Sequence, residues 1–396
     1  MSKKGKYEKL PAKKPLGWKK ILLIVLAVVI VLGGATVAFG WSYFKTLVGY
    51  VQQAEYQEND LTDEELAEIL GFVPEYDTQA SEMTLETDAT ESTAASTEST
   101  SEPTTVATDP NYGEMGKIIN IMLIGQAYRP GEETKMSDTM ILSTLNRETN
   151  TLTLTSFLRD TYVQLPNYKG RICGKQRMNV CYNLGWRWAG DLGGMEMLDM
   201  LIYNNFGVEV DYNIEVSFDA FAAFIDMLGG IAMDLTEDEA KYLTNEPACE
   251  GSFKAGRNVL KGDAALIYVR MRKTSPTDND FNRTARQRNL IATVIKECTT
   301  MNLKDLNKIL KEILPMILTD MTEDEILEMT KIAISMLPNL QIESMQCPAE
   351  GTYRGVIVKI DGYDAGVLEP NLQKNRELLM AVAEADVLEL QNAEAE

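Results

Sequence analysis

The sequence predicts the α/β class: one domain with a central sheet covered by helices, set behind one transmembrane helix and a disordered stalk. Three observations carry this. From about residue 112, short β-branched runs bounded by turn residues alternate with longer runs of helical period. Residues 21–40, ILLIVLAVVIVLGGATVAFG, hold no charge. Residues 78–109 are rich in Ser, Thr and Glu, with ESTAASTESTSEPTT at their centre.

In chain order, residues 1–20 form a basic tail with eight lysines against Glu8. The apolar run that follows, taken as 21–41, spans roughly 30 Å as a helix, the thickness of a bilayer core. Trp41 and Tyr43 stand at its outer edge. Lysines before the span keep the N-terminus cytoplasmic and put the remainder outside the cell membrane. The competing reading is a cleaved signal peptide, for which Ala35–Ala38 supplies small residues. Residues 42–77 read as a juxtamembrane helical segment, with a capping start at Thr62–Glu65 and helix-period Leu61, Leu66, Ile69 and Leu70. Residues 78–111 cannot repay the entropy of folding and form a self-repelling linker.

The domain proper is expected over 112–384, ahead of an acidic tail at 385–396. Strands are predicted at 117–124, 139–145, 151–157, 213–218 and 231–235, and near 340–345 and 355–360. Helices are predicted at 218–228, 262–270, 282–299, 303–318, 322–337 and 370–384. The stripe Phe218, Phe221, Phe224, Ile225 and Leu228 reads first as core and second as the wall of a lipid pocket.

Composition excludes several chemistries. The formal charge is −21 and there is no histidine. An acidic outer domain lacks the broad positive face that nucleic acid needs. Without histidine there is no Ser-His-Asp or Cys-His catalysis and no His-ligated zinc. The five cysteines, Cys173, Cys181, Cys249, Cys298 and Cys347, contain no CxxC pair. Cys173 and Cys181 either close a small disulfide loop or pack as buried thiols with the rest. There is no P-loop or GxGxxG.

Within the acidic domain the arginines are clustered: Arg129; Arg159 beside Asp160; Arg177; Arg270 and Arg272; and Arg283, Arg286 and Arg288 with Gln287. Arginine is always charged and grips phosphate oxygens bidentately, so converging arginines suit a diphosphate. Arg283, Arg286 and Gln287 are spaced i, i+3, i+4 and share one helix face. Arg159 and Asp138 neighbour strands and fall at a sheet rim, where open α/β sheets take ligands. The plainer reading of each is an ordinary ion pair.

The ordered blocks INIMLIG (119–125), SDTMIL (137–142), SFLRDTYVQLP (156–166), RMNVCYNLG (177–185), FDAFAAFIDMLGGI (218–231), LKGDAALIYVRMRK (260–273) and DFNRTARQRNLI (280–291) resemble the LytR-CpsA-Psr family. The resemblance implies an α-β-α sandwich around a mixed central sheet, outside the membrane. It implies a phosphotransferase moving a glycopolymer from a polyprenyl diphosphate carrier to peptidoglycan. Arg159 would be the central diphosphate-binding and catalytic arginine, with Asp138 supporting Mg2+. Asp138 and Asp160 are the candidate bases. Arg177, Arg270, Arg272, Arg283, Arg286 and Gln287 would bind substrate, together with Arg129. Two positions depart from the family pattern. Ala127 stands where a carboxylate is common, and Met136, next to Lys135, stands where an arginine precedes SDT. These departures motivate a second reading, a non-catalytic polyprenyl-phosphate-binding envelope regulator with a weakened metal site.

Overall fold

The computed structural model describes residues 45–59, 61–71, 75–76, 115–126, 134–169, 171–272, 280–298, 308–309, 311–336, 340–360 and 362–384. The basic tail, the apolar span, the stalk and the acidic tail lie outside these residues, as do Ala127 and Arg129. Among the described residues no helix is long and apolar enough to cross a membrane.

A seven-stranded mixed sheet organises the domain. Its strands are β1 (Gln52–Gln53), β2 (Ile118–Gln126), β3 (Ser137–Asn146), β4 (Thr151–Phe157), β7 (Tyr212–Ser217), β10 (Ile317–Thr319) and β11 (Gln341–Cys347). Across the sheet the order is β1-β10-β7-β2-β3-β4-β11. The centre, β2-β3-β4, is antiparallel, while β7 and β11 flank it in parallel. Two hairpins stand beside the sheet: β5 (Tyr162–Gln164) with β6 (Lys175–Arg177), and β12 (Tyr353–Ile360) with β13 (Tyr363–Pro370). A further antiparallel pair joins β8 (Ile231–Leu235) to β9 (Gly256–Leu260).

Successive residues of β2 face opposite sides, so the sheet carries a core on each face. Ile119, Ile121, Ile141 and Leu154 belong to one. It is closed by α3 (Phe218–Met227), α5 (Gly262–Arg270), α6 (Asp280–Cys298) and α7 (Glu323–Met336), with α4 (Glu237–Asn245) alongside. Met122, Ile124, Leu142 and Phe157 belong to the other, closed by α1 (Asp63–Leu70), α2 (Val180–Phe206) and α8 (Leu372–Glu384). The result is the three-layered α-β-α arrangement.

Several expectations need correction. The segment 42–77 does not stand apart: Leu47 and Val48 enter the first core and Leu61, Leu66 and Leu70 the second. Thr62 and Glu65 form the predicted capping box. A helix was expected across 303–318, but Pro315 lies in a 3-10 turn at Leu314–Met316 and Ile317–Thr319 continues as β10. The sequence reading also missed α2. This helix is two pieces folded across a kink at Ala189 and Gly190, where Gly190 has φ 70. The pieces touch glycine to glycine: a Cβ at Gly185 would sit 2.1 Å from the Gly193 carbonyl oxygen. Of the cysteines, Cys173, Cys181, Cys249 and Cys347 are free thiols. Burial pushes the Cys173 thiol up to about 11.

Candidate active site

The site forms where the ends of β2, β3 and β4 meet the N-terminus of α6. β3 opens on Ser137 and Asp138, and β4 ends at Phe157, two residues before Arg159. Arg159 Nη1 donates to Asp138 Oδ1 at 2.6 Å. Its Nε lies 3.7 Å from Asp160 Oδ2 and 3.9 Å from Asp280 Oδ1. On α6, Arg283 Nη2 reaches Asp280 at 2.8 Å, one turn away. Arg177, on β6, comes within 3.9 Å of Asp160. Arg159, Arg177 and Arg283 therefore converge on three carboxylates, although Arg283 is over 120 positions from Arg159 in the chain.

Electrostatics within this cluster are unevenly balanced. Burial pulls the Arg159 pKa down, but the hydrogen bond it donates to Asp138 and the charges of Asp138, Asp160 and Asp280 outweigh it, and the net shift is upward. Arg283 moves the other way, to about 10: burial lowers it, and Arg159 and Arg272 add to that against Asp280. Arg283 thus remains a cation at neutral pH, under stress that an incoming anion would relieve. Among the described residues, the buried Nε atoms of Arg159, Arg177 and Arg283 have no hydrogen-bond partner. Each costs roughly 1–3 kcal/mol while unsatisfied.

The remaining expected residues divide in role. Gln287 Nε2 donates to Thr139 Oγ1 at 3.0 Å, tying α6 to the residue after Asp138. Arg286 is buried; its Nε donates to Glu239 at 2.8 Å and its Nη1 to the Met271 carbonyl at 2.9 Å. It therefore fixes the chain that carries Arg272 and presents no open face to a ligand. Arg270 lies 5.0 Å from the centre of the Phe218 ring and is exposed. Arg272 is exposed and acts on Asp280 and Arg283 through charge. Arg129 falls outside the described residues. Lys135 turns away from Asp138: it is buried, with Nζ 2.5 Å from Asp191 and 2.6 Å from Glu215. Sequence reasoning missed Asp280 and Glu239. For Asp280 the signal was present, an acid three residues ahead of Arg283 in a helix; for Glu239 there was none.

Beside this cluster, between the sheet and α3, α5 and α6, lies an apolar cavity of about 180 Å3. Leu123, Val216, Phe221, Phe224, Leu290 and Ile291 are among its walls. Thr139 and Gln287 belong to the same lining, and so does Phe218, over which Arg270 lies. The aromatic stripe of α3, read first as core, is divided: Ile225 is fully buried while Phe218, Phe221 and Phe224 face the cavity. An engineered apolar cavity of about 150 Å3 takes a benzene ring. This one therefore admits the first isoprene-sized units of a hydrocarbon chain, not a long lipid whole.

A model of the LytR_cpsA_psr family matches residues 79–377. The chain belongs to the LytR_cpsA_psr family. The polyisoprenyl-teichoic acid–peptidoglycan teichoic acid transferase TagU of Bacillus mycoides (strain KBAB4) is 30% identical over 249 residues, 61% of this chain and 74% of that protein. Biofilm regulatory protein A of Streptococcus mutans serotype c is 29% identical over 191 residues, 47% of this chain and 45% of that protein. Among solved structures, TagT bound to LIIa-WTA has the same fold, with TM-score 0.51 and 19% identity over 68% of this chain and 91% of that one. Membership agrees with the resemblance read from the seven sequence blocks. The mixed sheet and its covering helices are shared with the TagT fold.

Proposed function

We propose that this LytR_cpsA_psr protein is a membrane-anchored phosphotransferase that moves a glycopolymer from a polyprenyl diphosphate to peptidoglycan. The observation that carries the proposal is the juxtaposition of an apolar cavity with the converging arginines Arg159, Arg177 and Arg283. A hydrocarbon chain suits the first and a diphosphate the second. The transferase name of the TagU relative supports the same reading. The apolar span at 21–41 would hold the chain in the cell membrane with the domain outside.

In the proposed reaction an acceptor hydroxyl oxygen attacks the phosphorus attached to the glycan. A new P–O bond forms and the bond to the bridging oxygen breaks. Polyprenyl phosphate leaves with that electron pair, and a phosphodiester links glycan to acceptor. Arg159 and Arg283 stabilise the charge growing on the phosphoryl oxygens. Asp160, between Arg159 and Arg177, takes the hydroxyl proton. Asp138 would hold Mg2+, which supplies further charge neutralisation on the diphosphate. Its carboxylate is about one-third exposed, which leaves it a face toward the site. Among the described residues no group of three or more acidic, Cys or His side chains is gathered for a metal. Magnesium that keeps its waters and takes one carboxylate plus phosphate oxygens needs no such group.

The test is reconstitution of the full chain in bilayers with a polyprenyl diphosphate-linked glycan, peptidoglycan and Mg2+. Expected products are peptidoglycan carrying the glycan through a phosphodiester and an equal amount of polyprenyl phosphate. Tight donor binding with no product favours the non-catalytic regulator instead. That second reading draws on Lys135, whose pairing with Asp191 and Glu215 keeps it from replacing the arginine that Met136 displaces. Ala127→Asp with Met136→Arg would then restore turnover.

A further inference from the structure

A second concavity, of about 440 Å3, opens beside the β5–β6 hairpin. Its walls are the β5–β6 hairpin, the base of the β12–β13 hairpin and the residues leading into α8. Tyr162, Gln164, Lys175, Tyr353, Arg354 and Asn371 supply the side chains that matter.

This concavity is joined to the arginine cluster by backbone and by stacking. Tyr162 is the register partner of Arg177 across the β5–β6 hairpin. The Leu368 amide on β13 donates to the Asp160 carbonyl at 2.9 Å, and Thr161 bridges to Leu368. Tyr353 stacks on Phe281, the residue after Asp280, with ring centres 5.3 Å apart and planes 26° from parallel. A ligand seated here would lie against the chain segments that carry Asp160, Arg177 and Asp280.

The lining differs in kind from that of the first cavity. Tyrosine rings supply apolar faces; Gln164, whose NH2 donates to the Leu165 and Gly174 carbonyls, offers its amide oxygen as an acceptor, and Asn371, whose Oδ1 accepts from the Lys374 amide, offers its NH2 as a donor. Lys175 is exposed on the rim, and Arg354 is paired with Glu369 at 2.6 Å. A hydrocarbon chain would meet charge here, and a bare diphosphate would find two cations set against one acid. A pyranose presents C–H faces to aromatic rings, and its hydroxyls and N-acetyl groups match paired donors and acceptors. The volume lies within the roughly 300–1,000 Å3 typical of small-molecule sites.

We propose that this pocket is the acceptor subsite: it binds an N-acetylated, acid-bearing glycan of the peptidoglycan type and presents its hydroxyl toward Asp160. The proposal rests on the transferase reading and names where its second substrate sits. Lys175 on the rim faces the carboxylates of such a glycan. The donor's own glycan is the other source of the same chemistry, and the experiment separates the two.

The experiment uses the full chain and two probes titrated separately: a soluble, lipid-free N-acetylated peptidoglycan fragment, and a polyprenyl diphosphate-linked glycan. The variants are Tyr162→Ala, Lys175→Glu and Arg354→Ala; the Arg354 side chain is 77% exposed, so its loss does not threaten folding. Each variant is expected to weaken fragment binding at least fivefold and leave donor affinity within twofold. In transfer assays the acceptor KM rises while kcat holds. Fragment binding that no variant changes overturns the proposal. So does a loss of donor affinity with fragment binding intact, which would assign the pocket to the donor glycan. Fragment binding that depends on these residues, in a protein that shows no transfer, upholds the subsite and rejects the transferase reading.

Discussion

Replacing Arg159 should remove transfer while leaving a folded protein. The side chain is 16% exposed and faces three carboxylates, at 2.6, 3.7 and 3.9 Å. Arg159→Ala removes the positive charge at the point where phosphoryl charge grows and leaves Asp138, Asp160 and Asp280 facing one another. Loss of one preorganised donor to such charge costs about 3–4 kcal/mol, or roughly 10²–10³ in rate. Repulsion from the uncovered carboxylates adds to this, because a diphosphate must now approach a net negative cluster. Arg159→Lys keeps the charge but loses the fork of donors, and about 1.4 kcal/mol, a tenfold loss, is expected. The three carboxylates retain 19–32% exposure, so water solvates them and the fold survives. The assay is transfer of labelled glycan to peptidoglycan under single-turnover conditions, with far-UV circular dichroism as the control on folding. Wild-type-like transfer by Arg159→Ala, within threefold, would refute the role given to this residue.

Three further predictions concern the cavity, the helix kink and a buried acid. Ile291→Trp should fill the cavity and weaken long-chain polyprenyl diphosphate binding at least tenfold while sparing inorganic diphosphate; calorimetric titration of both would show it, and equal losses would contradict it. Gly185→Ala should destabilise by about 1–3 kcal/mol or more, since its Cβ meets the Gly193 carbonyl at 2.1 Å and Met197 at 2.7 Å; a melting temperature equal to wild type would count against the close packing of the two α2 pieces. Burial, with Asp320 and Glu196 nearby, pushes Asp199 from 3.8 to about 8 against its hydrogen bond from Asn213. The folded chain keeps that proton from about pH 4 to pH 8 where the unfolded chain has lost it, so stability falls as pH rises through this window and levels off above it. Asp199→Asn should flatten the upper part of this dependence in denaturant titrations, leaving the lower part that Asp211, pushed to about 6 by burial, contributes. An unchanged slope between pH 6 and 8 would reject the assignment.

Sequence legibility followed the strength of local signals. TLTLTSF coincides with β4 because alternation and β-branching agree there, and the Asn146–Asn150 turn is held by Asn146 Oδ1 accepting from Glu148 and Thr149. The α2 helix was hidden because its glycines, which serve the contact between its two pieces, lower helix propensity along the run. β10 was hidden within an apolar stretch that periodicity alone reads as helix. The arginines stood out by type, because a rigid cation in an acidic domain is conspicuous. Glu239 did not, since one acid among many carries no mark until its partner is placed beside it, whereas Asp280, three residues ahead of Arg283 on one helix, carried a signal that went unread. The cavity was legible only as the second reading of the stripe, because Phe221 and Phe224 have the spacing of core residues whether they meet other side chains or empty space.

The central claim is that one site takes hydrocarbon on its apolar side and diphosphate on its cationic side. A crystal structure of the chain with a bound polyprenyl diphosphate tests it directly. The account predicts the first isoprene units between β7, α3 and α6, beside Phe221 and Ile291, with phosphate oxygens in hydrogen-bond reach of Arg159 and Arg283. A lipid seated elsewhere, with Arg159 still held by Asp138 and no phosphate near it, would contradict the account.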